Sequence, residues 1–178
     1  MRWIKRIVTG LVLVVVLAVA AAYLLPSTAT VSRSIEIAAT PEQVFPYISN
    51  FHSFNRWSPW AKRDPETRYT FEGPEQGTGQ KMMWVSDNPN VGSGSQEITS
   101  TSPDKSVEVA LDFGDMGQAN AAYRLEPVNS GTRITWSFKT ELGANPMKRY
   151  LGLMFDRWIG AEYEEGLVAL KQLVESEI

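Results

Sequence analysis

The sequence predicts an α+β fold in which a curved antiparallel sheet wraps around a long C-terminal helix, with one transmembrane helix in front. Three observations predict it. Residues 7–25 carry no charge, the middle of the chain alternates apolar and polar residues with a period of two, and apolar residues recur every three and four positions from Pro146 to about Glu177. The apolar face of the sheet and the apolar stripe of the helix each need a cover, so we expect them to pack together.

The N-terminal segment has the features of a membrane anchor. Residues 1–6 form a basic flank, and residues 7–25 are long enough to span the ~30 Å hydrocarbon core at about 1.5 Å per residue. An excess of Lys and Arg before the span predicts a single-pass membrane protein with a cytoplasmic N-terminus. The domain would then be extracytoplasmic, and periplasmic if the protein is bacterial.

A cleaved signal peptide is the alternative interpretation of this segment. Residues 11–17 have the composition of an apolar signal core, and Ala20–Ala22 resemble a small-residue cleavage site. Cleavage there would yield a secreted protein. Tyr23, Leu24 and Leu25 prolong the apolar run beyond that site, which favours the anchor.

The domain itself is predicted to begin after a linker at residues 26–30 and to occupy residues 31–178. Its first strand covers Val31–Ala38, where Ile35 and Ile37 share one face. A helix follows and extends to about Ser49. Thr40 has the position of its N-cap, with Pro41 at the first helical position and Gln43 completing a capping box. A short second helix or turn is expected near residues 51–56.

The remaining strands form a predicted antiparallel meander. From Thr67 onward, alternating segments lie near residues 80–85, 95–100, 107–113, 119–126 and 133–139, separated by turn-forming residues that include Gly, Pro and Asn. The last element, from Pro146 to about Glu177, is predicted as one helix. It contains Gly152, Gly160 and Gly166, each of which costs a helix about 1 kcal/mol relative to Ala. We therefore expect a bend there, or room for another group.

Charge and composition exclude several classes of protein. The 178 residues include 17 basic and 20 acidic side chains, and the three bases before residue 30 leave the rest with a net charge of −6. An acidic domain is a poor partner for nucleic acid. With no Cys, disulfides and thiolate nucleophiles are excluded. One domain of this size can fold without such crosslinks, and we expect a monomer.

Several motifs resemble a known superfamily. They are Ser34–Ile37, Pro41–Phe45, Trp57–Trp60, Gly92–Gly94 with Glu97–Thr99, Gly131–Trp136 and Ile159–Lys171. Together with the order of elements, they resemble the SRPBCC superfamily of START, birch-pollen-allergen and polyketide cyclase/dehydrase-like proteins, over about residues 31–177. The resemblance implies a helix-grip fold. It also implies a hydrophobic pocket between sheet and C-terminal helix that holds a lipid, a polyketide or a similar ligand.

We find no catalytic set of residues in the sequence. His52 is the single His, and no nucleophile is paired with it. A metal site needs several N or O ligands at suitable spacing, so no metal or cofactor is expected. Glu162, Glu164 and Glu165 are interpreted as the solvated side of the C-terminal helix.

Large aromatic and small side chains share the predicted inner face, and they are the candidate ligand-binding residues: Trp84, Gln96, Ala119, Ala121, Tyr123, Trp136, Met154 and Trp158. The same pattern is also compatible with a fully packed core. Arg33, Gln80 and Gln96 have the spacing of the inward-facing residues. We expect Arg33 to reach solvent by extending along the apolar surface. For Gln80 and Gln96 the sequence leaves two roles open, a partner within the protein or the polar head of a ligand.

Three functions are compatible with these observations. The first is a membrane-tethered binding module for a hydrophobic small molecule or lipid, anchored through residues 7–25. The second, implied by the resemblance, is an enzyme of the polyketide cyclase/dehydrase type. The third is an interaction scaffold without a ligand. The absence of an evident acid–base set favours the first over the second.

Overall fold

The structure, a computed structural model, describes residues 2–178. The helices of the first part of the chain are α1 (Arg2–Ala22), α2 (Pro41–Ile48), α3 (Phe51–Phe54) and α4 (Pro59–Arg63), and those of the last part are α5 (Pro146–Gly152) and α6 (Phe155–Ser176). The strands are β1 (Thr28–Ile37), β2 (Arg68–Glu72), β3 (Lys81–Val85), β4 (Ser93–Ser102), β5 (Ser106–Asp112), β6 (Gln118–Val128) and β7 (Gly131–Glu141). A 3₁₀ turn at Gly114–Met116 connects β5 to β6.

All seven strands form one antiparallel sheet in the order β1-β7-β6-β5-β4-β3-β2. The first strand therefore pairs with the last, so that Thr28 lies opposite Glu141 and Ile37 lies opposite Thr132. The curved sheet holds α6 against its inner face, which confirms the predicted α+β fold. The core between them includes Trp57, Ile134, Leu167 and Leu170.

Local signals in the sequence place the first helix of the domain correctly. The backbone N–H of Thr40 donates to Gln43 Oε1 at 2.9 Å, as the predicted capping box requires. The sheet, however, begins three residues before the predicted strand, because Thr28 already pairs with β7. The segment between α1 and the sheet is consequently Tyr23–Ser27, where the sequence predicted a linker at residues 26–30.

Within residues 2–178, α1 is the one helix long and apolar enough to cross a membrane. A signal sequence near an N-terminus has the same length and composition. The structure therefore shows an apolar N-terminal helix that is compatible with either an anchor or a signal sequence.

The prediction of one uninterrupted C-terminal helix is wrong, because α5 and α6 are separated at Leu153–Met154. The side chain of Asn145 caps α5 by accepting from the backbone N–H of Met147 at 2.9 Å. Gly152 lies against Leu142, where an added Cβ would be 2.5 Å from Leu142 Cδ1. Both helices carry apolar residues at helical spacing, so this periodicity could not reveal the break.

The other two helical glycines leave space that the protein's own side chains occupy. An added Cβ at Gly166 would lie 2.9 Å from Trp136 Cζ3, and one at Gly160 would lie 2.1 Å from Arg33 Nη2. Arg33 reaches the protein surface, as expected, since its side chain is 24% exposed and its carboxylate partners are more exposed still. The sequence did not predict that its guanidinium crosses to α6 and binds Asp156 at 2.9 Å and Glu164 at 2.6 Å, in the gap that Gly160 leaves.

Candidate ligand-binding cavity

A cavity of about 790 Å³ lies between the inner face of the sheet and the first half of α6. Strands β2 to β7 form its floor, and residues from α3, α4 and α6 form its walls. The volume falls within the range of roughly 300–1,000 Å³ that small-molecule pockets occupy.

The cavity brings together seven of the eight candidate residues. They are Trp84, Gln96, Ala119, Ala121, Tyr123, Trp136 and Trp158. Met154 is not among the lining residues; it precedes α6 and is 41% exposed. Met154 lies at the junction between α5 and α6. In one continuous helix its side chain would have pointed in another direction.

Small side chains on β6 create much of the space. Ala119 and Ala121 are consecutive inward residues, and they pair with Leu111 and Val109 of β5. All four line the cavity, so one stretch of the floor consists of aliphatic side chains. The alternation along β6 is what made these positions predictable.

Stacked aromatic rings form a buried part of the cavity wall. The indole of Trp136 lies between two phenol rings, with ring centroids 3.7 Å from Tyr163 and 5.3 Å from Tyr123. Trp57 meets the indole edge-on at 5.3 Å. Tyr163 comes from α6 and Trp136 from β7, so this stack joins the helix to the sheet.

Two buried polar atoms of the wall have no hydrogen-bond partner within residues 2–178: the donor Trp136 Nε1 and the acceptor Asn55 Oδ1. Buried polar atoms in proteins are nearly always paired, and each unpaired group calls for an explanation. Both atoms are inaccessible to a water molecule, so they lie behind the cavity surface and add polar atoms to its wall without facing the space.

The two glutamines have different roles. Gln80 Oε1 accepts from the backbone N–H of Phe51 at 2.8 Å, and its Nε2 donates to the carbonyl of Glu75 at 2.5 Å. Gln80 therefore connects α3 to the loop before β3. Gln96 lies on the cavity wall and is buried, so it is the glutamine that a ligand could contact.

Burial raises the pKa of Tyr123 and of Tyr163 well above the ordinary value for a phenol. Burial raises the pKa of Tyr69, another lining residue, as well. All three hydroxyl groups are consequently neutral at physiological pH. They are suited to donating hydrogen bonds to a ligand and unsuited to accepting a proton as phenolates.

An ion pair that the sequence did not predict lies on the cavity wall. Arg63 Nη2 of α4 is 2.6 Å from Glu162 Oε2 of α6, and both side chains are about three-quarters buried. The interpretation of Glu162 as part of the solvated side of the helix is therefore wrong, whereas Glu164 binds Arg33 and stays largely exposed, as expected. The signal for α4 was present in Ser58-Pro59, a typical helix start.

His52 lies away from the cavity lining. Its imidazole stacks on Phe71, with 3.8 Å between ring centroids. Among residues 2–178, no group of three or more His, Asp or Glu side chains is arranged to hold a metal ion. The chemically versatile groups at the cavity are thus Glu162, Arg63 and the buried phenols.

A sheet gripping a C-terminal helix over a largely apolar cavity defines a helix-grip protein of the kind that encloses hydrophobic molecules. The sequence agrees: a family model described as polyketide cyclase / dehydrase and lipid transport matches residues 28–175, and the chain belongs to this family. This confirms the resemblance noted in the sequence. Family and fold together indicate a hydrophobic ligand-binding or cyclase role.

Solved structures share this fold at low sequence identity. A protein of unknown function from Staphylococcus aureus has a TM-score of 0.64 at 12% identity, covering 84% of this chain and 95% of that chain. The di-domain ARO/CYC StfQ from the steffimycin biosynthetic pathway has a TM-score of 0.62 at 11% identity, covering 84% and 51%. The Aha1 dimer from Colwellia psychrerythraea has a TM-score of 0.55 at 16% identity, covering 82% and 96%. The sequence matches no curated protein.

Proposed function

We propose that the protein is a membrane-tethered binding module for a hydrophobic small molecule or lipid that carries a polar group. In this proposal residues 7–25 anchor the chain and residues 31–178 form the binding domain. The observation that carries it is the cavity of about 790 Å³, whose lining is mainly apolar and includes the buried amide side chain of Gln96. A fully packed core would leave no such space.

The lining describes the ligand. Aliphatic and aromatic side chains of β5 and β6 favour a hydrocarbon or ring system. The amide of Gln96, which lines the cavity, offers both an acceptor and donors to a polar group on the ligand. A hydroxyl or an amide on the ligand can bind to it.

The contacts of α1 favour an anchor that stays attached. The hydroxyl of Tyr150 of α5 donates to the carbonyl of Ala18 at 2.7 Å, and Arg149 Nη1 donates to the carbonyl of Ala22 at 3.5 Å. Cleavage after Ala22 would remove both of these acceptors. The basic flank of α1 favours a cytoplasmic N-terminus, which would place the domain on the opposite side of the membrane.

An enzyme of the cyclase/dehydrase type is the second candidate function. The observation in its favour is that Glu162 and Arg63 line the cavity together with phenols that stay protonated. Against it, the Glu162 carboxylate is engaged by the Arg63 guanidinium, which opposes its acting as a general base. The binding module is therefore the preferred proposal.

A matched pair of variants tests the binding proposal in the full-length chain in lipid nanodiscs. Ala121→Trp adds an indole inside the cavity, whereas Ala122→Trp adds it to the outer face of the same strand. We expect the unmodified chain and Ala122→Trp to bind dansyl-labelled undecanoic acid, measured by energy transfer from tryptophan, and Ala121→Trp to lose binding. Both variants have the same number of tryptophans, so the difference between them reports the cavity.

Denaturation midpoints complete the test. If the cavity is real, Ala121→Trp fills empty space and changes stability little. In a packed core the same change would cost about 1–3 kcal/mol or more. An unmodified chain that binds no probe, together with a strongly destabilised Ala121→Trp, would contradict the proposal and favour the scaffold interpretation.

A further inference from the structure

An exposed apolar surface surrounds α5 and its junction with α6. It consists of Met116, Met147, Leu151, Leu153 and Trp158, and we call it the α5 surface. Its members include side chains as exposed as Met116 (73%) and Leu153 (60%). Met116 belongs to this surface because the turn that contains it lies beside α5, where a Cβ added at Gly117 would be 3.9 Å from Lys148 Nζ. Exposed apolar side chains grouped in this way mark a contact with another molecule or with a membrane.

The α5 surface is attached to the end of α1. The hydroxyl of Tyr150 donates to the carbonyl of Ala18 at 2.7 Å. Arg149 donates to the carbonyls of Tyr23 and Leu25 and lies 5.3 Å above the ring of Tyr23. Arg149 also donates to the carbonyl of Ala22, the last residue of α1, at 3.5 Å. The last carbonyls of a helix lack partners within the helix and carry partial negative charge, so the arginine stabilises this end of α1 both as a donor and as a cation.

The length of α1 determines how deep this contact lies. The uncharged helical part, residues 7–22, has 16 residues and is about 24 Å long, which is less than the ~30 Å hydrocarbon core. An anchor of this length leaves no uncharged helical turn outside the hydrocarbon core. The turn that contains Ala18 must then lie near the hydrocarbon boundary, and α5, bonded to Ala18, must lie beside it.

The charges of this segment also suit a membrane surface. Residues 142–155 contain Lys148 and Arg149 and no acidic residue, although residues 30–178 as a whole carry a net charge of −6. Apolar side chains next to basic ones are typical of segments that lie in the interfacial layer of a bilayer.

The cavity opens on the same side. The start of β1 pairs with the end of β7, and Thr140 Oγ1 of β7 donates to the carbonyl of Gln118 at the start of β6. These three strand ends therefore lie at the same end of the sheet, where the chain arrives from α1. Gln118 and Thr140 line the cavity. Two members of the α5 surface, Met116 and Trp158, also line it while remaining 73% and 49% exposed.

We propose that the α5 surface lies in the interfacial layer of the membrane that holds α1, and that the cavity takes its ligand directly from that bilayer. This inference rests on the proposed binding function and adds the source of the ligand. A ligand that enters between Met116 and Trp158 passes from hydrocarbon to an apolar cavity without crossing water, which removes the main barrier to its exchange.

The natural absence of Cys permits single-site labelling of the full-length chain. Leu153→Cys and the control Asn129→Cys would each carry an NBD fluorophore in phosphatidylcholine vesicles. Asn129 lies in the β6–β7 turn, at the far end of a strand of 11 residues that is about 35 Å long. We expect the label at position 153 to emit at shorter wavelength and to be quenched by lipids with a doxyl group near the head group, while the label at 129 is quenched by aqueous iodide.

Two results would overturn the membrane contact. One is a label at position 153 as accessible to iodide as the label at 129. The other is a label shielded from iodide and doxyl lipids alike, which would show that a second copy of the chain covers the α5 surface. Because this measurement needs no ligand, it separates the position of the α5 surface from the binding function.

A second readout addresses entry from the bilayer. With dansyl-labelled undecanoic acid preloaded in the vesicles, we expect Leu153→Glu to slow uptake severalfold and Asn129→Glu to leave it unchanged. Uptake by Leu153→Glu at the unmodified rate would overturn the entry route. If the unmodified chain takes up no probe, the binding function and this entry route both fail, and the NBD measurement still decides where the α5 surface lies.

Discussion

The indole of Trp136 stacks face to face on the phenol of Tyr163, with 3.7 Å between ring centroids and 10° between ring planes. Trp136 belongs to β7 and Tyr163 to α6, so one aromatic contact joins the sheet to the helix that it grips. Both rings also line the cavity. Stability and the shape of the candidate site thus depend on the same pair of residues.

Truncating one ring of this pair should destabilise the fold. We expect Tyr163→Ala to lower the free energy of unfolding by about 3–5 kcal/mol, because it removes a buried aromatic side chain and leaves a cavity next to Trp136. Tyr163→Phe keeps the stacked ring and should cost far less. Chemical denaturation of both variants provides the measurement, and equal midpoints for the two would contradict a stabilising role for the stack.

The unpaired Asn55 Oδ1 should cost stability in the absence of ligand. Asn55→Leu removes this buried acceptor, and we expect it to raise the thermal midpoint of the ligand-free protein. Gln80→Leu makes a useful comparison, because Gln80 is paired with Phe51 and Glu75. That change should lower the thermal midpoint, because it leaves the buried N–H of Phe51 without its acceptor. An Asn55→Leu variant destabilised as much as Gln80→Leu would argue for a structural role.

Replacing Gly166 by Ala is expected to destabilise the protein although Gly166 lies inside a helix. Ala is favoured over Gly by about 1 kcal/mol in helices. At Gly166, however, the added Cβ would lie 2.9 Å from Trp136 Cζ3 and 3.2 Å from Pro59 Cδ, two rigid groups. We expect Gly166→Ala to lower the unfolding free energy by about 1–3 kcal/mol.

Gly160→Ala is the matched comparison for Gly166→Ala. Its added Cβ meets the Arg33 guanidinium, the end of a flexible side chain that can move away. We therefore expect a smaller loss, which denaturation midpoints can measure. A larger loss at Gly160 than at Gly166 would contradict this assignment of the rigid contact.

Acid should release the C-terminal end of α6. Hydrogen bonds from Arg56 and Tyr47 lower the pKa of Glu177 below its ordinary 4.5, and a hydrogen bond from Lys171 lowers that of Glu175. A depressed pKa in the folded state means that this stabilisation is present above about pH 4.5 and is lost as the pH falls through the folded pKa. We expect Glu177→Gln to reduce the loss of stability between neutral pH and pH 3, measured by thermal unfolding across that range. An unchanged pH profile would show that other carboxylates dominate.

The amino-acid sequence was sufficient to predict the order of most elements and the face on which most candidate residues lie. Alternation along β6 placed Ala119, Ala121 and Tyr123 on one side of the sheet, and the structure brings them into the cavity. The capping box at Thr40 and Gln43 likewise located the start of α2. These features are predictable because backbone periodicity and helix capping act between residues close together in the chain.

Only the tertiary structure decided which groups fill the space between helix and sheet. Arg33 and Glu164 are 131 positions apart, and their ion pair depends on the gap that Gly160 leaves. The break between α5 and α6, the Arg63–Glu162 pair and the different roles of Gln80 and Gln96 are of the same kind. Each follows from packing between segments that are distant in sequence, where a side chain's partner is set by the available volume and not by its neighbours along the chain.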